Sequence, residues 1–350
     1  MIHPVVPGSI ASIGTLVEHY DPEVVLLVTG GSSFERSGAA GPVWSALEGL
    51  RVERLRVVNP DPTLDELDAA IEVFRDLDPD LVIAVGGGSC LDLAKAMRTL
   101  GPLAAEARPF WSGAEDIEDP DVPLIAVPTT AGTGSEVTQF SVITVDGIKG
   151  SIGDPALLPS DVIVDPDLLE SVPPSVAAST GLDALAQAME SMWSTNASDD
   201  SYVAARRSLE LSVSAISDVV NNPGPEARLA MMEASHLAGH AIDISKTTAP
   251  HAFSYRITTA HGIPHGHAVA MTLGPVLEFN AGISDSDNQH PAGPEHVRTV
   301  IEDILGILDV ADPDAGRARI TELITELGLD PSLEGAGAGS SEARRSIAFS

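Results

Sequence analysis

The stretch Leu81–Ala96 reads LVIAVGGGSCLDLAKA, and it decides the fold. Its first five residues are apolar, a short continuous run that is typical of a buried parallel strand. Three glycines and Ser89 follow at once, and the residues after them favour a helix. Glycines at the carboxyl end of a strand let backbone N–H groups approach a pyrophosphate, and the N-terminus of the following helix adds its dipole. The stretch predicts one strand–turn–helix unit of a dinucleotide-binding sheet.

A second turn of this kind supports the first, because a glycine triplet by itself is often only a turn. Residues 122–127 form another apolar run, which leads into PTTAGTGSE at residues 128–136. Further strand-like runs lie at residues 24–29 and 55–58, and Thr63 or Asp65 caps the helix after the second of them. Alternating strands and helices predict a parallel sheet that binds ligands at the carboxyl ends of its strands.

The chain changes character after Asp167, where strand-like runs give way to helical ones. Helices are predicted over residues 174–193, 201–219, 226–243 and 264–280. We place the domain boundary within DPDLLESVPP, residues 165–174. The prediction is therefore an α/β dinucleotide-binding domain over residues 1–168 and an all-α domain over residues 169–350. The tail from Ser332 is weakly specified.

Composition excludes several classes of function. Of the 350 residues, 43% are hydrophobic, which is enough for a buried core in two domains. The formal net charge of −32 disfavours nucleic acid and anionic membranes as partners, because both need a basic surface. The single cysteine, Cys90, excludes an intrachain disulfide, and there is neither a secretory signal nor an apolar run long enough to span a membrane. We therefore expect a soluble, cytoplasmic protein.

Residues 233–280 hold six of the ten histidines. Upstream of them, Asp183 and Gln187 lie four residues apart, on one face of a predicted helix. His251 precedes His265 by fourteen residues, and His265 stands in a Pro-His-Gly turn that opens a helix. One carboxylate and two imidazoles can bind a divalent transition metal. The competing interpretation is a buried, capped aspartate and two unrelated core histidines.

Together these motifs resemble the iron-containing (group III) alcohol dehydrogenases, which are related to glycerol dehydrogenase and dehydroquinate synthase. The resemblance covers nearly the whole chain and rests on GGGSCLDLAKA (86–96), PTTAGTGSEVT (128–138), ALLPSDVIVDP (156–166), GLDALAQAMES (181–191) and IPHGHAVA (263–270). It implies a dehydroquinate synthase-like fold, with an N-terminal α/β dinucleotide-binding domain and a helical C-terminal domain that binds metal and substrate. It also leads us to expect a homodimer.

The resemblance places a divalent metal, Fe²⁺ or Zn²⁺, on Asp183, Gln187, His251 and His265. Gln187 departs from the family, which has histidine there, and a neutral amide oxygen is a poorer ligand than imidazole. The metal is then weakly held, held by three side chains with extra water, or absent. Tyr255 is a second departure, at a position where many members have histidine. A third is the end of the chain at Ser350, which indicates a truncated C-terminus.

The predicted coenzyme contacts lie in and around the strand ends of the first domain. They are Gly30, Ser32, Ser33, Gly86, Gly87, Gly88, Ser89, Asp92, Thr129, Thr130, Thr133, Ser135 and Lys149. Members of the family that prefer NAD carry an aspartate where this chain has Gly30, and that carboxylate accepts hydrogen bonds from the ribose 2′-hydroxyl. Without it a 2′-phosphate is not repelled, so we predict NADP rather than NAD. A plain turn that accepts either coenzyme is the alternative.

ISKTTAPHAFSY (244–255) and HGIPHGHAVA (261–270) are similar to the phosphonate-pathway branch of the family, the phosphonoacetaldehyde reductases. Their substrate is a small aldehyde that carries a phosphonate dianion. The candidate anion contacts are Lys246, which is one of only three lysines, together with Thr247 and Arg256. In the competing interpretation, Lys246 pairs with Asp243 at the surface and contributes little.

The predicted reaction is NAD(P)H-dependent, metal-assisted reduction of phosphonoacetaldehyde to 2-hydroxyethylphosphonate. Tyr255, His261 and His267 are the candidate proton donors, and the sequence does not choose among them. Three alternatives stay open. They are a general iron-dependent dehydrogenase of small alcohols or diols, a dehydroquinate-synthase-like cyclase, and a non-catalytic relative with a decayed metal site.

Overall fold

The computed structural model describes residues 2–103 and 106–338, and within them the chain forms two compact units. The first unit runs to Thr130 and resumes over Gly134–Val172. The second contains Ala131–Thr133 and continues from Pro173. The boundary predicted at residues 168/169 lies shortly before this division. The assignment of residues 131–133 to the second unit was not predicted. Most of the weakly specified tail lies outside the described residues.

The first unit is built on a parallel sheet of five strands, in the order β2-β1-β3-β4-β7. β1, β3 and β4 are buried along almost their whole length, because helices cover both faces of the sheet. The strands are β1 (Val24–Gly30), β2 (Arg51–Val57), β3 (Leu81–Gly86), β4 (Leu124–Pro128) and β7 (Asp161–Val162). The helices are α1 (Ile13–Tyr20), α2 (Ser33–Arg36), α3 (Ala40–Ala46), α4 (Leu64–Leu77), α5 (Gly88–Leu100) and α6 (Arg108–Trp111). The predicted α/β fold is confirmed.

The order of the strands reverses beside β1. β2 pairs with one edge of β1 and β3 with the other, so the chain builds outward in both directions from this strand. Open α/β sheets bind ligands in the crevice at such a switch point, outside the carboxyl ends of the strands. The carboxyl ends of β1 and β3 are Gly30 and Gly86. The topology therefore places the first glycine-rich turn at the position where a dinucleotide is expected.

A two-stranded antiparallel hairpin, β5 (Phe140–Val145) with β6 (Ile148–Gly153), follows the second glycine-rich turn. Asp146 and Gly147 connect the strands, with φ of 52° and 77°. An Asp-Gly pair with two positive φ angles is typical of a tight hairpin turn. The sequence analysis missed this hairpin, although the Asp-Gly signal was present.

The second unit is helical throughout its described part. Its helices are α7 (Pro174–Trp193), α8 (Asp199–Asn221), α9 (Pro225–Ser245), α10 (Ala249–His261), α11 (His265–Ala281), α12 (Pro294–Ile307) and α13 (Pro313–Glu326), followed by a short turn at Glu334–Ala338. α7 is buried from Ala177 to Trp193 almost without interruption and packs against α8, α9 and α11. The predicted all-α domain is confirmed, but α10, α12 and α13 were not predicted. Among the described residues, the helices lack the combination of length and apolar character that crossing a membrane requires.

Candidate metal centre and coenzyme site

The candidate coenzyme site in the first unit begins at the adjacent ends of β1 and β3. Thr29 pairs with Val85, which brings Gly30 beside Gly86. A Cβ atom added to Gly86 would lie 2.5 Å from the Cβ of Cys90 and 3.2 Å from the backbone nitrogen of Gly30, so a larger residue does not fit. α5 starts directly after this point, at Gly88. Its N-terminal N–H groups are therefore suited to a pyrophosphate.

The second predicted turn lies against the first. The N–H of Thr129 donates to the carbonyl oxygen of Gly86 over 2.9 Å. A Cβ atom added to Gly87 would be only 3.1 Å from Thr130 Oγ1. The hydroxyl of Thr129 is buried and has no hydrogen-bond partner among the described residues. A buried hydroxyl without a partner costs free energy, so a ligand oxygen beside it would be favourable. This observation fits the expected coenzyme.

Two of the predicted coenzyme contacts bond to each other. Ser135 Oγ donates to Asp92 Oδ1 over 2.5 Å, and the N–H of Val142 donates to Asp92 Oδ2 over 3.1 Å. Asp92 therefore joins α5 to the second turn and to the start of the hairpin. Thr133, predicted as another contact, belongs to the second compact unit. Ser32 lies directly before α2, and Ser33 is its first residue.

Lys149 also lies near the first glycine-rich turn. Its Nζ is 2.5 Å from Asp61 Oδ1, and the N–H of Asp61 donates to Ser89 Oγ over 3.2 Å. Asp61 has a positive φ of 56°, a strained conformation for a residue with a side chain. The contacts with Lys149 and Ser89 hold it there. The sequence analysis gave no role to Asp61.

The candidate metal centre lies within the second unit. Asp183 on α7, His251 on α10 and His265 on α11 offer ligand atoms that all lie within 4.8 Å of one another. Asp183 Oδ1 is 3.3 Å from His251 Nε2 and 3.7 Å from His265 Nε2. Asp183 and His251 are buried, and the side chain of His265 is 23% exposed. These three predicted ligands do come together, from three different helices.

A glycine makes this approach possible. Gly266 follows His265 in the first turn of α11, and a Cβ atom added to it would be 2.8 Å from the Cβ of Asp183 and 3.0 Å from its nitrogen. Any larger residue would push α11 away from α7. The Pro-His-Gly sequence thus has a geometric reason, because glycine allows His265 to approach Asp183.

Gln187 lies one turn after Asp183 on α7 and is 3% exposed. Its Oε1 is buried and makes no hydrogen bond within the described part of the chain. Leaving a buried carbonyl oxygen without a partner is costly, and a nearby cation would remove that cost. The donor set of one carboxylate, two imidazoles and one amide oxygen therefore fits a divalent metal.

Hydrogen bonds orient both imidazoles. His251 Nδ1 bonds to the fully buried carboxylate of Glu190. Ser254 Oγ donates its only proton to the carbonyl oxygen of His251 over 2.7 Å, so at 3.2 Å it accepts from His265 Nδ1. In both rings Nδ1 carries the proton and Nε2 is directed at Asp183. Nε2 is then the metal-binding nitrogen of each ring.

The surroundings of His251 favour a positive charge. Burial by itself would lower the pKa of His251, but the charges and hydrogen bonds of Glu190 and Asp183 raise it to about 10. A divalent cation at Nε2 would supply the same charge in place of the proton. Glu190 was missed by the sequence analysis. A signal was present, because Asp183, Gln187 and Glu190 recur at helical spacing on one face of an otherwise apolar helix.

The three candidate proton donors have different surroundings. The ring of Tyr255 lies 6.0 Å from that of His265. His261 ends α10, and its Nε2 is buried without a hydrogen-bond partner among the described residues. His267 Nε2 donates to the carbonyl oxygen of Asp330 over 2.7 Å. Tyr255 is therefore placed beside the metal-ligand cluster, whereas His267 ties α11 to the chain after α13.

The candidate anion contacts lie at the surface of the second unit. Lys246 is exposed at the end of α9, with a φ of 62°, and its Nζ donates to the carbonyl oxygen of Asp243 over 3.2 Å. Thr247 is half-buried, and Arg256 lies on the exposed side of α10. Arg256 follows His251 by five residues, which corresponds to about 140° around a helix. Arg256 therefore does not share the face of α10 that carries His251.

Comparison with known proteins gives the family. Residues 5–166 match the family model for iron-containing alcohol dehydrogenases, and residues 177–349 match that for the C-terminal part of Fe-containing alcohol dehydrogenases. The chain belongs to the iron-containing alcohol dehydrogenase family. The predicted family and the predicted enzyme class, an alcohol dehydrogenase or aldehyde reductase, are thereby confirmed.

Several relatives are similar over most of the chain. The phosphonoacetaldehyde reductase of Streptomyces viridochromogenes is 34% identical over 307 residues, which cover 84% of this chain and 78% of the relative. The crystal structure of sulfoacetaldehyde reductase from Bifidobacterium kashiwanohense in complex with NAD⁺ has a TM-score of 0.85 and 32% identity, covering 99% of this chain and 89% of that one. The archaeal halo-thermophilic Red Sea brine pool alcohol dehydrogenase ADH/D1 has a TM-score of 0.87 and 26% identity, covering 97% and 88%.

Proposed function

We propose that the chain is an NAD(P)H-dependent reductase of small aldehydes with an anionic end group, converting phosphonoacetaldehyde to 2-hydroxyethylphosphonate. The observation that carries the proposal is the convergence of Asp183, His251 and His265, together with the buried amide oxygen of Gln187 one turn after Asp183 on α7. Two relatives, named for phosphonoacetaldehyde and sulfoacetaldehyde, support the substrate class. Both names denote acetaldehyde with a tetrahedral anionic group.

In this proposal Asp183, His251 and His265 hold a divalent metal, Fe²⁺ or Zn²⁺, and Gln187 Oε1 is a fourth donor. When bound, such an ion polarises the aldehyde carbonyl as a Lewis acid. Asp183 and His251 are buried, so water has little access from their side. The partly exposed His265 marks the side from which substrate enters.

Tyr255 is the proposed proton donor. It lies one turn after His251 on α10, beside the ring of His265, and it is half-buried. A phenol close to the cluster is a suitable acid for the alkoxide that forms there. His267 is less suitable because its Nε2 proton is committed to the carbonyl oxygen of Asp330. We therefore assign His267 a role in holding α11.

The proposed coenzyme contacts are the N-terminus of α5, the turn Gly86–Gly88 and the hydroxyl of Thr129. When bound there, the reduced nicotinamide coenzyme supplies the hydride. The glycines keep side chains out of the space that a pyrophosphate needs, and Asp92 holds the second turn in place through Ser135.

The experiment is an aldehyde panel with metal-loaded protein, following NADPH or NADH oxidation by absorbance. Phosphonoacetaldehyde, sulfoacetaldehyde and propanal differ in charge but share the reacting group. We expect kcat/KM to be highest for one of the two anionic aldehydes. A higher value for propanal would favour a general alcohol dehydrogenase. If steady oxidation occurred with none of the three, the non-catalytic alternative would be supported.

Lys246→Ala tests the proposed contact between the Lys246 ammonium group and the anionic end of the substrate. Losing one charge-assisted hydrogen bond of about 1.5–3 kcal/mol should raise KM for phosphonoacetaldehyde roughly ten- to a hundredfold. Turnover of propanal should stay the same, because propanal has no charge for Lys246 to contact. Arg319→Ala, which removes a cation from α13, is the matched control and should affect neither substrate. Equal losses for both substrates would assign Lys246 to the fold.

A further inference from the structure

A chain of hydrogen bonds runs from Trp193 to His251 through the interior of the second unit. Trp193 Nε1 donates to Thr248 Oγ1 over 2.9 Å, and Thr248 Oγ1 donates to Glu190 Oε1 over 2.9 Å. The other oxygen of Glu190 bonds to His251 Nδ1. Trp193 and Glu190 both lie on α7, and Glu190 has no exposed surface. The carboxylate thus reaches His251 with both oxygens engaged.

The same carboxylate holds the start of α10. Thr248 precedes the helix, and its own side chain makes no capping hydrogen bond. Glu190 Oε1 instead accepts from the N–H of Thr248 over 2.7 Å and from the N–H of His251 over 3.4 Å. A helix N-terminus carries partial positive charge and unpaired N–H groups, so a carboxylate there is stabilising. One side chain from α7 therefore sets both where α10 begins and how its His251 ring is turned.

We infer that Glu190 is a positioning residue of the metal centre and that Thr248 and Trp193 hold it in place. The inference rests on the proposed role of His251 as a metal ligand. Without a partner at Nδ1, an imidazole can rotate, or it can present the other nitrogen. A buried carboxylate at Nδ1 fixes the tautomer and leaves Nε2 for the metal, while its negative charge makes Nε2 a stronger donor. Thr248 occupies Oε1 with its hydroxyl and its N–H, and Trp193 holds that hydroxyl in place, so Oε2 is the oxygen directed at the ring.

His265 has different surroundings from His251. His265 Nδ1 faces the neutral hydroxyl of Ser254 and its side chain is 23% exposed. That ring receives neither the charge nor the enclosure that Glu190 gives to His251. His251 is therefore the rigid, strongly donating imidazole of the pair, and Glu190 is what distinguishes the two.

The test compares metal binding by Glu190→Gln and Thr248→Val with that of the wild type. Zn²⁺ affinity is measured by competition with a chelator, and the absorption spectrum of bound Co²⁺ reports the geometry. Removing a carboxylate behind a ligand histidine typically weakens metal binding 10- to 100-fold, so we expect a loss of roughly this size and an altered spectrum for Glu190→Gln. Thr248→Val removes the hydroxyl donor to Glu190 but keeps the backbone N–H donor, so its Zn²⁺ affinity should fall less than that of Glu190→Gln. Thr259→Val is the control, since that exposed hydroxyl donates to the carbonyl oxygen of Tyr255 within its own helix.

A purely structural role would lower the melting temperature of Glu190→Gln but leave Zn²⁺ affinity and the Co²⁺ spectrum unchanged, and that result would overturn the inference. If Glu190→Gln does not fold, Trp193→Phe is tested instead. It removes only the hydrogen bond from Trp193 to Thr248, the one farthest from His251, and it should weaken Zn²⁺ binding severalfold. Wild-type affinity in Trp193→Phe would then count against the inference. A wild type that binds Zn²⁺ but reduces no aldehyde would refute the proposed function and leave the positioning role intact. Absence of metal binding in the wild type would refute both.

Discussion

Gln187 is the residue at which the predicted ligand set departs from the pattern expected for the family. It lies one turn after Asp183 on α7, and its amide oxygen is buried without a hydrogen-bond partner among the described residues. An amide oxygen carries no charge and is a weaker donor to Fe²⁺ or Zn²⁺ than imidazole. In the proposed site, Gln187 is therefore the weakest of the four donors to the metal.

We expect Gln187→His to bind Zn²⁺ at least about tenfold more tightly, which corresponds to about 1.4 kcal/mol. The reason is that an imidazole replaces the weakest donor. Chelator competition measures the affinity, and Gln187→Leu, which removes the donor without adding one, should bind more weakly than the wild type. If Gln187→His and the wild type bind Zn²⁺ equally, the amide is not the weak point of the site.

Gly30 is the residue that we expect to select the coenzyme. It ends β1 at the switch point of the sheet, and a carboxylate there would repel a 2′-phosphate. A Cβ atom on Gly30 would clash with the hydroxyl of Ser33, so the substitution is best made together with Ser33→Ala. We predict that the wild type has the higher kcat/KM with NADPH and that Gly30→Asp/Ser33→Ala prefers NADH. Gly30→Ala/Ser33→Ala is the control without the charge, and its preference should match the wild type. Equal kcat/KM with both coenzymes in the wild type would contradict the prediction.

Most residues of the candidate metal centre could be predicted because the candidate ligands lie in short, recognisable motifs. Glu190 lies in one of those motifs, but a single acidic residue in a helix does not by itself indicate a function. Its role comes from Thr248 and His251, which are about sixty residues away in the chain and are brought together only by the fold. The ion pair of Lys149 with Asp61 could not be predicted either, because these two residues are also far apart in the sequence and are brought together only by the fold.

At the scale of single elements, α7 and α10 show why one helix was predicted and another was missed. α7 follows Pro173, begins at Pro174 and has a long run of helix-forming alanine, leucine and methionine, so its predicted and observed bounds agree. α10 has threonines, a proline and no strong apolar stripe. Its first turn is held by Glu190 from α7, a tertiary contact that overrides weak local preference.

Lys95 shows how one element can be tied to a functional turn. It is fully buried on α5, and its Nζ donates to the carbonyl oxygens of Ser135 and Thr138 over 2.9 and 3.1 Å. It also lies 3.5 Å from Asp92 Oδ1. Its charge is therefore used inside the protein, and we assign Lys95 to holding the second turn against α5.

We expect Lys95→Met to lower the free energy of unfolding by roughly 3–5 kcal/mol. Methionine retains the volume of the stem, but the carbonyl oxygens of Ser135 and Thr138 lose the ammonium donor and Asp92 loses its positive neighbour. Denaturant unfolding measures the loss, and KM for the coenzyme should rise because the turn that carries Thr129 loosens. Arg75→Met on the exposed side of α4 is the control and should change neither quantity. A Lys95→Met protein as stable as that control would rule out this role.

At the scale of the whole molecule, the chain has 51 acidic and 19 basic residues, which gives the formal net charge of −32. Many arginines already pair with carboxylates at the surface, so the remaining negative charges repel one another. Such repulsion destabilises a compact chain and also opposes the approach of a dianionic substrate. Salt screens these exposed charges, since the Debye length falls from about 30 Å at 0.01 M to about 3 Å at 1 M.

We therefore predict that NaCl raises the melting temperature between about 0.01 M and 1 M, the range over which the Debye length shortens from about 30 Å to about 3 Å. Thermal unfolding at fixed pH, in the presence of a metal chelator, measures the effect without any contribution from the metal site. Sucrose, which stabilises by exclusion from the protein surface and not by screening, is the control. If screening is the cause, most of the increase comes at low salt and sucrose gives no such dependence. A melting temperature that stayed constant or fell with NaCl would show that the surface ion pairs, which salt weakens, outweigh the repulsion among the unpaired acids.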